Sequence, residues 1–205
     1  DGIEAIDLGG QCLAPGLIDM RVTAGSGEDG TGEAAAAGGV TAMVCLPPGL
    51  DGGAGLPIRV FHYARATDGV GGLSEMALAA GTGALAFTDG EGAIADAAVM
   101  LRVLRYAAGL GRPVVQHPEE PSLAAGGQMN AGEVATRMGL PGIPAQAEVI
   151  MIERDLRLVE LTGARYHVAH VSTGAAVEAI REAKRRGLPV TCDKAPAYFA
   201  LTETD

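Results

Sequence analysis

Short apolar runs alternate along this chain with stretches of helical periodicity. The runs fall at Leu13–Val22, Thr41–Leu46, Ile58–Tyr63, Ala84–Thr88, Pro113–His117, Tyr166–Val171 and Pro189–Cys192. Most are continuous and rich in Val, Ile and Ala, the pattern of strands buried on both faces. Between them, Leu73–Ala80, Asp96–Ala108, Ala145–Thr162 and Thr173–Arg186 carry apolar residues at helical spacing. The expected stripe is Ala97, Met100, Leu101, Leu104 and Ala108 in the second helix, and Val149, Ile152, Leu156 and Val159 in the third. Gly109, Gly111 and Gly187 stand where helices should stop. Strand and helix in alternation predict a parallel sheet with right-handed crossovers.

Two crossovers are thin. Only Thr31–Ala37 can form a helix between the first two strands, and Pro47–Pro57 holds too much Gly and Pro for one. A parallel crossover needs roughly a dozen residues. Seven strands are also one short of a closed eight-stranded barrel, and an open barrel leaves two unpaired edges. Residues 1–205 are therefore expected to be a single domain that is either open or continued by further segments.

Composition narrows the function classes. Apolar residues make up 48% of the chain without any tryptophan, so the core is aliphatic. A net charge of −10 repels phosphate backbones and argues against a nucleic-acid partner. The basic cluster Lys184-Arg185-Arg186 ends an expected helix, where positive charge complements the dipole. Cys12, Cys45 and Cys192 lie far apart without CxxC spacing, which points to a reducing compartment. No signal peptide and no apolar run of about 18 residues stands out, so a cytoplasmic protein off the membrane is expected.

Two runs end in histidine: Val114-Val115-Gln116-His117 and Tyr166-His167-Val168-Ala169-His170. A buried strand with a histidine at its C-terminal end is how α/β barrels place metal ligands at the mouth. His167, three residues before His170, should face the other way and pack between sheet and helices. His62 has no motif around it and reads as structural. Cys45 and Cys192 lack a nucleophile's context. Asp89 fits a turn-forming Asp-Gly as well as a spare carboxylate. Glu119-Glu120 reads as a solvated turn, and Gly126-Gly127 lacks the frame of a phosphate cradle.

Several strings follow one another as they do in dihydroorotases of the amidohydrolase superfamily, and the chain resembles that family over nearly its whole length. They are Leu13-Ala-Pro-Gly-Leu-Ile-Asp, Ala37-Gly-Gly-Val-Thr, Ala86-Phe-Thr-Asp, Gln116-His, Pro121-Ser-Leu, Gly139-Leu-Pro-Gly-Ile-Pro, Glu148 and His167-Val-Ala-His-Val-Ser-Thr. The resemblance implies an α/β fold, a TIM-type (β/α)8 barrel covered here for about seven strands, without the family's small flanking β-sandwich. It also implies cyclisation of carbamoyl aspartate to dihydroorotate, and the reverse hydrolysis, on one or two zinc ions, the metal supplying polarisation and hydroxide.

Position by position, the same resemblance implies a depleted site. The family's Asp-x-His-x-His-x-Arg reads Asp19-Met20-Arg21-Val22-Thr23-Ala24-Gly25, so Arg21 and Thr23 replace two ligands and Gly25 a substrate arginine. Pro47-Pro48 stands for Pro-Asn, and Ala197-Tyr198 for a histidine pair. The metal-binding Asp of Asp-Asp-Gly becomes Gly90. His117 and His170 survive as vestigial metal-ligand positions, expected to be hydrogen-bonded to neighbours. A guanidinium about 4 Å from a cation costs roughly 4 kcal/mol per unit charge at an effective dielectric of 20. No catalytic or cofactor-binding residue and no cofactor is therefore expected. The resemblance is to inactive dihydroorotase homologues that accompany aspartate carbamoyltransferase, implying that partner and a homo- or hetero-oligomer. The alternative is an active zinc-dependent dihydroorotase using His117, His170 and a residue beyond Asp205. A third option is a small-molecule binder in which Arg21 holds an anion.

Overall fold

A computed structural model describes residues 5–23, 30–48 and 56–204. In chain order the elements are β1 (Leu17–Val22), α1 (Thr31–Ala37), β2 (Val40–Cys45), β3 (Arg59–His62), β4 (Ala64–Arg65), α2 (Met76–Gly81), β5 (Phe87–Thr88), α3 (Ala97–Gly109) and β6 (Val114–Gln116). Then come α4 (Pro121–Ala124), β7 (Met129–Asn130), α5 (Glu133–Met138), β8 (Gly142–Ile143), α6 (Gln146–Thr162), β9 (Tyr166–Val168), α7 (Gly174–Arg185), β10 (Val190–Cys192) and α8 (Ala197–Ala200).

Every apolar run contains a strand; the third run holds β3 and ends at Tyr63, and β4, just beyond it, was not anticipated. The thin first crossover keeps its helix at Thr31–Ala37. Most of the second crossover, residues 49–55, lies outside the described residues. The elements from α4 to β8 were not anticipated. Strands of two residues and helices of four and six are too short for any period to develop. Among the described residues no helix is long and apolar enough to cross a membrane.

The chain divides into two compact units, Asp1–Cys45 with Leu50–Phe61, and Leu46–Gly49 with His62–Asp205. In the first, β1 and β2 run parallel from Leu17↔Val40 to Val22↔Cys45, with two register irregularities. α1 makes the crossover. β2 buries Met43, Val44 and Cys45, whereas Leu17 and Ile18 of β1 are exposed.

In the second unit five strands lie in the order β10-β9-β6-β5-β4, each described pair parallel. Parallel strands in register bring their C-terminal ends to one edge of the sheet, and the candidate site forms there. The core joins Phe87, Val114, Tyr166 and Val168 of the strands to Ile152, Leu156 and Val159 of α6 and Ile180 of α7. Burial of each such side chain stabilises by about 1.5–3 kcal/mol. On α3 the buried residues are Val99, Met100, Val103, Leu104 and Ala107. Met100 and Leu104 match the expected stripe, but Ala97 and Ala108 are exposed and Leu101 is only half-buried. Both faces satisfy a 3.6-residue period, and packing against the core selects the one with two valines.

Local chemistry sets the helix ends. Asp96 caps α3 by accepting from the N–H groups of Ala98 at 2.7 Å and Val99 at 2.8 Å. Gly163 ends α6 at φ 66°, a left-handed turn that glycine enters without a Cβ penalty. Among the described residues one carboxylate is fully buried: Asp155 of α6 accepts from Tyr166 Oη at 2.7 Å and from Arg154 Nε at 2.8 Å. Burial pushes the Asp155 carboxyl above its ordinary range, against the opposing pull of Arg154 and the Tyr166 bond.

Candidate functional site

The site grows from the ends of β6 and β9. Gln116, the last residue of β6, is fully buried and accepts a hydrogen bond from Ile94 N at 3.3 Å. That anchors the strand end one residue before His117. Beyond β9 the ladder continues for one more bond, from Ala169 N to Gln116 O at 3.0 Å. The chain then turns. His170 has φ 40°, the one non-glycine residue with positive φ among those described. A left-handed conformation costs a residue with a Cβ about 1–2 kcal/mol, so something must hold it.

The turn lays the His170 ring against His117. Nδ1 of His117 and Nε2 of His170 are 3.1 Å apart, with ring centroids at 4.8 Å and planes at 53°. At that distance one imidazole donates and the other accepts. Nε2 of His117 also lies 3.7 Å from Glu119 Oε1. The expectation of side chains bonded to neighbours takes a specific form: each histidine bonds the other.

His167 departs from the expected sheet-to-helix packing. It is buried, but its ring runs sideways to β10, following the register pair His167↔Thr191. Nδ1 meets Thr191 Oγ1 at 2.8 Å and Nε2 meets Asp193 Oδ2 at 3.1 Å. The other oxygen of Asp193 accepts from the backbone N–H of His170. Burial alone would push the Asp193 carboxyl up; the bonds from His167 and His170 and the nearby imidazoles outweigh it and bring it below the usual carboxylate range.

A cleft of about 700 Å³ opens beside the imidazoles, lined among others by Asn130, Ile143, Glu148, Ser172 and Tyr198. Glu148 projects from the first turn of α6 and is nearly buried. Its carboxylate accepts from Ser172 N at 2.7 Å, Ser172 Oγ at 3.1 Å, Thr173 N at 2.9 Å and Thr173 Oγ1 at 2.5 Å. Thr173 in turn caps α7 by accepting from Ala176 N. Glu148 is therefore committed to the start of α7. Its place in the resemblance was legible; its role was not, because the partners lie 24 and 25 residues away.

Asp89 is committed as well, accepting from Thr67 N at 2.9 Å and Thr67 Oγ1 at 2.6 Å. Gly90 is buried at φ 74° and donates its N–H to Thr88 Oγ1 at 3.1 Å. Glu120 caps α4 rather than forming a solvated turn, accepting from Leu123 N at 2.8 Å. Arg21 and Thr23 belong to the other compact unit, Arg21 half-buried at the end of β1 and Thr23 exposed just beyond it. Asp193 went unnoticed in the sequence, and Gln116 was read there only as part of a family string. The only available signal was a polar residue at the end of an apolar run.

The resemblance implies zinc, and zinc asks for at least three protein ligands. Among the described residues no group of three or more His, Cys, Asp or Glu side chains is arranged to hold a metal ion. Among the described residues His117 and His170 supply two nitrogen donors, fewer than the three protein ligands a zinc site asks for.

The comparisons with known proteins agree with the motifs. A family model described as Dihydro-orotase-like matches residues 57–176. A dihydroorotase of Desulfotalea psychrophila is 44% identical over 220 residues, covering 96% of this chain and 52% of the relative. One of Syntrophobacter fumaroxidans is 43% identical, covering 97% and 50%. The chain thus spans about half the length of the curated relatives it matches. Among solved structures, an L-hydantoinase (dihydropyrimidinase) from Arthrobacter aurescens superposes with a TM-score of 0.78 at 24% identity, over 98% of this chain and 52% of that one. A D-hydantoinase (dihydropyrimidinase) from Thermus sp. gives 0.68 at 22%, over 93% and 48%. These likenesses establish the TIM-type α/β fold. With the family model matching more than half of its residues, the chain belongs to the dihydro-orotase-like family of the amidohydrolase superfamily.

Proposed function

We propose that this chain comes from a dihydroorotase-like protein of pyrimidine biosynthesis that has lost its catalysis and serves as a scaffold for aspartate carbamoyltransferase. One observation carries the proposal: the two surviving ligand positions, His117 and His170, bond to each other at 3.1 Å. The positions that the family's motifs align with further ligands are Arg21, Thr23 and Gly90, none of which offers zinc a donor it favours. His117 and His170 are then vestigial, with no catalytic residue left and residues 1–205 acting as one barrel domain. A cytoplasmic hetero-oligomer follows from the same proposal. The full-length protein should purify without stoichiometric zinc, should not hydrolyse dihydroorotate, and should co-migrate with aspartate carbamoyltransferase on gel filtration. Zinc at one or more per chain, together with turnover, would sink the proposal.

A second reading has an observation of its own. Two imidazole nitrogens on one zinc, each at about 2.0–2.1 Å, would also lie roughly 3 Å apart. An active zinc-dependent dihydroorotase would need its remaining ligands from elsewhere in the full-length protein. Zinc would then raise the melting temperature, since a ligand that binds only the native state stabilises it. An unchanged melting temperature at saturating zinc removes this reading.

A further inference from the structure

We propose that Asp193 is the positioning residue of a metal-free tie between β6 and β9, in which His117 and His170 hydrogen-bond across the strand ends. The proposal rests on the scaffold reading and adds to it the group that keeps the tie closed.

The geometry begins with strain. His170 sits at φ 40° between Ala169, still bonded to β6, and Val171, already bonded to residue 193. Without that left-handed residue its ring would not return to His117. Asp193 grips both sides of the turn. Its backbone N–H donates to Val168 O at 3.1 Å, and its carbonyl accepts from Val171 N at 3.0 Å. Between these, carboxylate Oδ1 accepts the N–H of His170 itself. A charge-assisted bond of this kind is about twice as strong as a neutral one, enough to offset the cost of the turn.

The carboxylate is itself braced. Oδ2 meets Nε2 of His167, whose Nδ1 is fixed by Thr191 Oγ1 at 2.8 Å. Thr191, His167, Asp193 and the His170 backbone form one chain of hydrogen bonds running from β10 to the imidazole pair. The direct N···N contact of 3.1 Å then joins β9 to β6 just beyond their C-terminal ends.

The test uses the full-length protein labelled with 15N-histidine and treated with chelator. A scalar coupling across the N–H···N bond should connect His117 Nδ1 and His170 Nε2. It should persist in Asp193→Asn, which keeps an oxygen for the His170 N–H, and vanish in Asp193→Ala. If Asp193→Ala does not fold, His167→Phe decides the same point: the coupling should weaken once Oδ2 loses its brace. An unchanged coupling in a folded Asp193→Ala, or in His167→Phe, overturns the role of Asp193. No coupling in metal-free wild type overturns the tie and removes the observation that carries the scaffold proposal, which zinc content and dihydroorotate turnover then decide separately. Stoichiometric zinc on both rings before chelation overturns both.

Discussion

Replacing Glu148 by glutamine tests how the cleft wall is held. The change is nearly isosteric, so packing is preserved. The carboxylate now accepts two backbone N–H groups and two hydroxyls, at 2.5–3.1 Å. Glutamine keeps one oxygen and turns an NH2 toward the other pair. One backbone N–H, of Ser172 or Thr173, then faces a donor. Leaving a nearly buried N–H unpaired costs about 1–3 kcal/mol. Removing negative charge from the start of α7 costs about 0.5–2 kcal/mol more, because the helix dipole is positive there. Water from the adjoining cleft can recover part of this, so a loss of about 2–4 kcal/mol is expected. Urea unfolding should show it as a lower midpoint at unchanged slope. Amide exchange from Ser172 to Ala176 should quicken as the first turn frays. A loss below about 0.5 kcal/mol, with unchanged exchange, would mean that Glu148 does not hold the helix.

Other outcomes follow from the same structure. In Gly142→Ala a Cβ would meet Ala131 Cα at 2.4 Å, a backbone atom that cannot step aside, so a loss of about 1–3 kcal/mol is expected in denaturant melts. A variant as stable as wild type would show that the β7–β8 ladder adjusts freely. Asp155→Asn disturbs a buried ion pair and should cost about 3 kcal/mol. Because burial raises the native carboxyl above 3.8, the folded state holds more protons than the unfolded state between the two values. The stability that Asp155 contributes is therefore fully present below pH 3.8 and falls as pH rises through the native value. The variant should lack that decline, and parallel stability profiles would refute the assignment.

Seven of the strands and the longer helices were legible in the sequence, as were the two histidines at strand ends, whereas the two-residue strands β4, β7 and β8 were not. Strands buried on both faces need continuous apolar runs, and a helix packed on one side repeats every 3.6 residues; both constraints act within a short window. Tertiary structure decided the rest. It chose Val99, Val103 and Ala107 over Ala97, Leu101 and Ala108 on α3, since two faces of one helix fit the same period. It turned His170 against His117, 53 residues earlier, and His167 toward Thr191 and Asp193. It drew Glu148 onto a helix that starts 26 residues later in the chain. A side chain's partner across a sheet depends on register and on where each strand ends, and neither is written in the residues on one side alone.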